Sequence, residues 1–240
     1  MKVLIPMAGE GSRFAKEGYT FPKPLINVNG KPMIQAVVEN LDFNCEYIFL
    51  IRKSHLDKYD GLVYTLSKIT NGNYKYVIVD ELTEGAACTA LLAEKYIDND
   101  EDLLIANSDQ IIEYSRENFE TLKSLTNVDA IVYTFSDVHP KWSFVKTNTR
   151  GFVIEVAEKK PISNIATCGI YWYRRGSDFV KYAKNMIDKD IRVNNEFYIA
   201  PVYNELIANG KTLIPFYVNK MWGIGTPEDL VNYTNNLKEN

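Results

Sequence analysis

Short apolar runs alternate along this chain with longer stretches whose apolar residues return every three or four positions. The alternation predicts an α/β fold. A strand buried on both faces reads as an unbroken apolar run, and a helix packed on one face shows a 3.6-residue period. Strands are predicted over residues 2–7, 47–51, 74–79, 103–106 and 130–135. Helices are predicted over 32–41, where proline opens the first turn, over the Ala-rich stretch 84–96, and over 116–125. The texture then changes. Residues 144–147, 152–156 and 167–173 form closely spaced, partly alternating runs with a turn at 149–151, which predicts an antiparallel lid or insertion beside the main sheet. Helices over 178–187, 201–209 and 227–237 follow, with a strand at 212–218. No repeat, low-complexity tract or linker interrupts the pattern, so a single domain over 1–240 is expected.

Composition narrows the class. Of 240 residues, 46% are hydrophobic and 24% charged, the balance of a soluble globular chain with a substantial core. A net charge of −4 argues against a general nucleic-acid binder, which carries a basic surface. The three cysteines, Cys45, Cys88 and Cys168, are too far apart for a zinc site or a disulfide framework and fit a reducing compartment. The apolar start is cut short by Gly9, Glu10 and Gly11, unlike a signal peptide, and no run reaches membrane-spanning length. A cytoplasmic protein with no membrane or nucleic-acid partner is expected, as a monomer or homodimer.

Candidate chemistry begins at Ala8-Gly9-Glu10-Gly11-Ser12-Arg13-Phe14, directly after the first strand, where open α/β sheets place their ligand crevice. Glycines let backbone N–H groups approach phosphate oxygens closely, and Arg13 adds a permanent planar cation. The loop lacks the third glycine of a dinucleotide fingerprint and the Gly-Lys-Ser/Thr ending of a Walker loop. A dehydrogenase would need glycine at position 14 and an acidic residue after the second strand; Phe14 and Arg52-Lys53 stand there instead. Ten residues downstream, Pro22 and Pro24 stiffen the backbone on both sides of Lys23 and restrict where its ammonium points.

The loop together with Pro22-Lys23-Pro24-Leu25 resembles the signature of the sugar-phosphate nucleotidyltransferase superfamily. The resemblance implies a Rossmann-like α/β fold of the nucleotide-diphospho-sugar transferase type. It has a mixed, mostly parallel sheet flanked by helices, with a nucleotide-binding half at about 1–136 and an acceptor-binding half at about 137–240. It also implies catalytic roles for Arg13, Lys23 and Lys159, and nucleotide contacts from Ala8, Gly9, Gly11 and Ser12. Thr83-Glu84-Gly85-Ala86-Ala87 resembles the family's small-residue turn, which extends the nucleotide contacts to Glu84, Gly85 and Ala86. Without the resemblance, that stretch is an ordinary helix start.

Further stations keep the family's order. Asn107-Ser108-Asp109 ends the fourth strand, where a carboxylate sits at the lip of the sheet, and the resemblance makes Asp109 the ligand of Mg²⁺; the alternative is an Asx turn. Glu158-Lys159-Lys160-Pro161 resembles the family's Glu-Lys-Pro motif. Its extra lysine leaves the register open, with Lys159 preferred over Lys160. Cys168-Gly169-Ile170-Tyr171 resembles the Ala-Gly-Ile-Tyr strand, and Gly169, Glu196 and Trp142 join Lys159 as candidate acceptor contacts. In Trp222-Gly223-Ile224-Gly225-Thr226-Pro227 the family's second metal aspartate is replaced by Gly223, with Glu196 a candidate substitute. His55, in a region expected to be an exposed helix start, has no catalytic role to fill. His139, Lys141 and Trp142 share a loop that either touches the acceptor or is structural.

The implied reaction joins two anions, a nucleoside triphosphate and a phosphorylated acceptor, and releases pyrophosphate. Positive charge must collect at the site, and no enzyme nucleophile is needed because the acceptor phosphate itself attacks. The run TEGAAC, NSDQ, HPKWS, AEKKPIS, NNEFYIAPVYNELI and MWGIGTPEDL resembles a bacterial capsule-biosynthesis subgroup with cytidylyltransferases acting on phosphoglutamine. It is also similar to phosphocholine cytidylyltransferases of comparable size. CTP with phosphoglutamine is therefore the expectation. Alternatives are a sugar-1-phosphate nucleotidyltransferase using UTP, dTTP or GTP, and a regulatory nucleotide-binding module.

Overall fold

The computed structural model describes residues 1–239. The chain begins with β1 (Lys2–Pro6), a short helix α1 (Ser12–Lys16) and a small hairpin of β2 (Asn27–Val28) and β3 (Lys31–Pro32). Helix α2 (Met33–Leu41) leads to β4 (Glu46–Arg52). Helices α3 (Lys53–Lys58) and α4 (Gly61–Ile69) then lead to β5 (Tyr74–Val79). Next come α5 (Ala86–Leu91), α6 (Glu94–Ile97), β6 (Leu103–Ala106), β7 (Gln110–Glu113), α7 (Arg116–Ser124) and β8 (Ala130–Ser136). Three strands follow, β9 (Ser143–Thr147), β10 (Val153–Glu158) and β11 (Ile165–Tyr173), then α8 (Gly176–Asp188) and α9 (Val202–Ala208). The last elements are β12 (Leu213–Tyr217), β13 (Lys220–Gly223) and α10 (Pro227–Glu239).

Nine strands form the central sheet, ordered β5, β4, β1, β6, β11 along one half. The first four run parallel, the inner three around apolar cores and β5 at the edge, where most of its residues are partly or fully exposed. β11 runs antiparallel to β6 and to β8, and β12 pairs parallel to β8. Successive residues of β1 serve opposite faces: Val3 and Ile5 pack with α2, α4 and α7, whereas Leu4 packs with α5, α8 and α9. Under α7, Phe119 is fully buried at 5.2 Å from Tyr133 and 5.9 Å from Phe216, ring centroid to centroid. Trp172 meets Phe119, and Phe216 meets Tyr133, edge to face, so the cluster combines large buried area with favourable ring geometry.

Three expectations are corrected. Residues 167–173 belong to no lid: β11 lies in the middle of the sheet, because eight of its nine residues are buried and need neighbours on both sides. Only β9 and β10 form the antiparallel projection. The Ala-rich helix over 84–96 is two short helices broken at Leu92-Ala93, since helical spacing alone does not reveal a kink. His55 is not exposed: it is buried in α3, and burial lowers its pKa, with Arg52 and Lys58 adding to the effect. The pair β7–β13 was not foreseen, because two four-residue strands far apart in sequence carry little periodic signal. Among the described residues, no helix is long and apolar enough to cross a membrane.

Truncating Phe119 to alanine removes the centre of the aromatic cluster and is expected to cost about 3–5 kcal/mol. The midpoint of urea unfolding measures the loss; a shift equivalent to less than about 1 kcal/mol would show that the cluster collapses around the gap.

Candidate active site

Strand β11 is longer than β6 and outruns it. Residues 170–173 pair with β6, whereas Ala166 pairs with Phe144 of β9. The β9–β10 hairpin therefore stands beyond the carboxyl end of the parallel strands, where ligands bind in such sheets. The change of partner is made at an irregularity between Thr167 and Tyr171. Gly169 lies inside it at φ +74°, and its carbonyl accepts from the Asn107 backbone N–H at 3.0 Å and from Gln110 Nε2 at 3.1 Å. A Cβ on Gly169 would run into the Asn107 amide and sit 2.8 Å from Gln110 Oε1. Only glycine fits there.

Beside this gap the first loop and the Lys23 segment are packed together. Gly11 adopts φ +63°, and a Cβ there would lie 3.1 Å from the Lys23 Cβ. Phe14, buried at 1% exposure, anchors the loop below and leaves Ser12 and Arg13 on the surface. Lys23 sits on a 3₁₀ turn, Lys23–Leu25, with Pro24 buried against the core. Its ammonium forms an ion pair with the Asp109 carboxylate. Gly9, Lys23 and Asp109 line a crevice of about 240 Å³ between the ends of β1 and β6.

A larger cavity of about 580 Å³ adjoins it, reached by Arg13, Ala86, Asp109, Trp142, Lys159, Gly169 and Glu196. Candidates from both halves thus share one space, whereas Ala8, Gly9, Gly11, Ser12, Lys23, Glu84 and Gly85 do not line it. Lys159 lines it, at φ +53°, and donates to the Tyr198 hydroxyl at 2.5 Å; Lys160 does not line it. Trp142 is fixed by donating from Nε1 to Asp137 at 3.0 Å, and Lys141 lies 4.6 Å above its ring. Glu84 is turned elsewhere: its carboxylate pairs with Arg192 at 2.5 Å, and its carbonyl accepts from the Phe197 N–H at 2.8 Å. Gly85 lies so close to Phe197 that a Cβ would meet that residue's backbone at 2.5 Å.

Several residues were not singled out from sequence. Glu158 faces the cavity from the end of β10 and accepts from the Ser143 hydroxyl. Burial chiefly holds its carboxyl above the usual range, and the Glu196 charge adds to the rise, against Ser143 and Lys159. Tyr171, Tyr198 and Asp229 also line the space. All four lie inside runs that resemble the family's, so their signal is positional.

Among the described residues, no group of three or more His, Cys, Asp or Glu side chains is placed to hold a metal ion. That does not conflict with Mg²⁺, which is commonly held by one or two carboxylates plus substrate phosphates. Asp109 fits that role at the lip of both spaces, and strand β13 is drawn beside it by the bond from Ile224 N–H to the Asp109 carbonyl at 2.8 Å. A Cβ on Gly223 would lie 3.7 Å from an Asp229 carboxylate oxygen, so a carboxylate is present next to the position the family's aspartate would occupy.

The sequence matches the model of the nucleotidyl transferase family over residues 2–240. The chain belongs to that family. It is 26% identical to the bifunctional protein GlmU of Methanococcus vannielii, an alignment covering 100% of this chain and 56% of that protein. The chain thus spans about half the length of that relative. It is 24% identical to the UTP--glucose-1-phosphate uridylyltransferase AglF of Haloferax volcanii, covering 100% of this chain and 97% of AglF. A nucleoside-diphosphate-sugar pyrophosphorylase from Vibrio cholerae RC9 superposes with a TM-score of 0.79 at 25% identity, covering 97% of this chain and 99% of that one. A UDP-glucose pyrophosphorylase in complex with UDP-glucose shares the fold, with a TM-score of 0.78 at 19% identity over 99% and 98% of the two chains. The mixed, mostly parallel sheet flanked by helices is the architecture of these neighbours.

Gly169→Ala should destabilise the protein by about 2–4 kcal/mol, combining left-handed backbone strain with overpacking against Asn107. Thermal unfolding reads this directly. A midpoint within a degree of wild type would mean that β11 does not need its irregularity.

Proposed function

We propose that this chain transfers a nucleoside monophosphate from an NTP to a phosphate oxygen of a small phosphorylated acceptor, releasing pyrophosphate. The observation behind the reading is the meeting of Arg13, Lys23 and Asp109 at one lip of the sheet, with Lys159 on the same cavity. In this reading residues 8–12 wrap the triphosphate, and Arg13 and Lys23 offset its charge. The turn at 84–86 receives the base, chiefly through backbone, since the Glu84 side chain is already paired. Lys159 holds the acceptor phosphate, with Gly169, Trp142 and Glu196 around the rest of the molecule. Asp109 would hold Mg²⁺, which would supply positive charge against the reacting phosphates. Lys23 and Asp109 neutralise each other in the free protein. Binding of a phosphate to one and a cation to the other exchanges that single ion pair for two new ones. Catalysis is then placement and charge compensation, with no covalent intermediate on the enzyme.

For the acceptor, the names of the relatives favour a sugar 1-phosphate, with UTP, dTTP or GTP as donor, over CTP and phosphoglutamine. The second reading, CMP transfer to phosphoglutamine or phosphocholine in capsule modification, draws on the run of motifs and on the acidic, aromatic lining of the cavity.

Pyrophosphate release with an NTP and acceptor panel tests the reading. Arg13→Ala, Lys23→Ala and Asp109→Asn should each lower kcat/KM by roughly 10²–10³, and EDTA should stop turnover. Full activity in all three variants would remove the site from this place. Lys159→Ala should raise the acceptor KM by at least roughly tenfold while Lys160→Ala leaves it near wild type. The reverse order would assign the acceptor contact to Lys160.

A further inference from the structure

The two ends of the proposed site are also joined away from the cavity. Residues 189–201 link α8 to α9 and bring Glu196 and Tyr198 to the cavity wall. Their tip is a tight hairpin. Val193 and Glu196 exchange backbone hydrogen bonds of 3.0 Å in both directions, and Asn194 and Asn195 between them hold φ at +48° and +64°. Two successive left-handed residues make a two-residue hairpin turn, and asparagine tolerates that backbone better than most side chains. The tip is therefore stiff and moves as one piece.

Arg192 stands at the base of that hairpin. Its guanidinium meets the carboxylates of Asp190 and Glu84, each at 2.5 Å, and lies 4.0 Å from the ring centre of Phe197. Phe197 in turn is buried and is bonded through its backbone to both Glu84 and Ala87. One side chain thus fastens the hairpin to the turn at 84–87, and it does so without lining the cavity. Exposed ion pairs contribute little singly, but a planar fork that spans two carboxylates and an aromatic face is already organised for its contacts. On the cavity side, the Tyr198 hydroxyl donates to Glu196 and accepts from the Lys159 ammonium at 2.5 Å. Where the hairpin sits therefore decides where Lys159 points.

Building on the nucleotidyl-transfer reading, we propose that Arg192 is a positioning residue that couples nucleotide binding to the acceptor side. A base seated in the turn at 84–87 restrains Glu84, Arg192 carries that restraint to the hairpin, and Tyr198 carries it to Lys159. The acceptor phosphate then meets an ammonium already held in place, so less freedom is lost when it binds.

Hydrogen exchange of the full chain tests the coupling, read by mass spectrometry with and without Mg²⁺ and each of CTP, UTP, dTTP, ATP and GTP. A nucleotide that binds should slow exchange in segment 83–90 and also in segment 190–199. Arg192→Gln, which keeps the stem against Phe197 but loses the charge, should retain the first slowing and lose the second. Arg192→Lys, a cation without the fork, should fall between them; it also carries the test if the glutamine variant fails to fold. Glu84→Gln should behave like Arg192→Gln, and the double variant should go no further than either single one, because the same contact is removed in each case. With whichever acceptor releases pyrophosphate, Arg192→Gln should raise the acceptor KM by roughly fivefold or more, while nucleotide affinity measured without acceptor stays within about twofold. Slowing at 190–199 that survives in Arg192→Gln overturns the proposal. So does slowing of 83–90 alone in the wild-type chain, which leaves the transferase reading standing. No slowing in either segment with any nucleotide removes the transferase reading and the coupling with it.

Discussion

The site rests on a steric constraint at one residue of β11. That strand must pair with β6 along one part and with β9 along another, and it changes partner where Gly169 adopts a left-handed backbone. The Gly169 carbonyl holds the Asn107 N–H and the Gln110 amide, which fixes the stretch carrying Asp109 just past the end of β6. A side chain at position 169 would occupy the place of the Asn107 amide. The opening between β6 and β9, and with it the cavity, follows from this change of partner.

Around that opening, four segments distant in sequence bring charge into a small volume. The packing of Gly11 on Lys23 ties the first loop to the Pro-flanked turn, and the Lys23–Asp109 pair ties that turn to β6. On the other side, the Phe197 backbone exchanges hydrogen bonds with Glu84 and Ala87, which fastens the loop bearing Glu196 and Tyr198 to the turn at 84–87. Close backbone approach at Gly85 makes that second fastening feasible. One end of the proposed site is thus held by Gly11 against Lys23 and by an ion pair, the other by Gly85 against the Phe197 backbone and by backbone hydrogen bonds.

Much of this was legible along the chain. The inner parallel strands β1, β4 and β6 announced themselves because a doubly buried strand leaves an apolar run that needs no knowledge of its neighbours. Arg13 and Asp109 could be placed because each follows such a strand, and strand ends in α/β sheets have a known ligand side; Lys23 was marked instead by its two flanking prolines and by the motif they form. The choice of Lys159 over Lys160 agrees with which of the two reaches the cavity. The central place of β11 was not legible: an apolar nine-residue run looks the same at the edge of a lid and in the middle of a sheet. The short pair β7–β13 and the break in the Ala-rich helix were hidden for the related reason that few residues carry each signal.

By itself, then, the sequence determined the class of fold and the family, since these depend on local periodicity and on short motifs. Only the tertiary structure decided which carboxylates share a cavity. Glu158 comes from the end of β10, Glu196 from the loop before α9, and Asp229 from the first turn of α10. Whether such charges find partners or face one another depends on long-range pairing and burial, which leave no periodic trace in the chain.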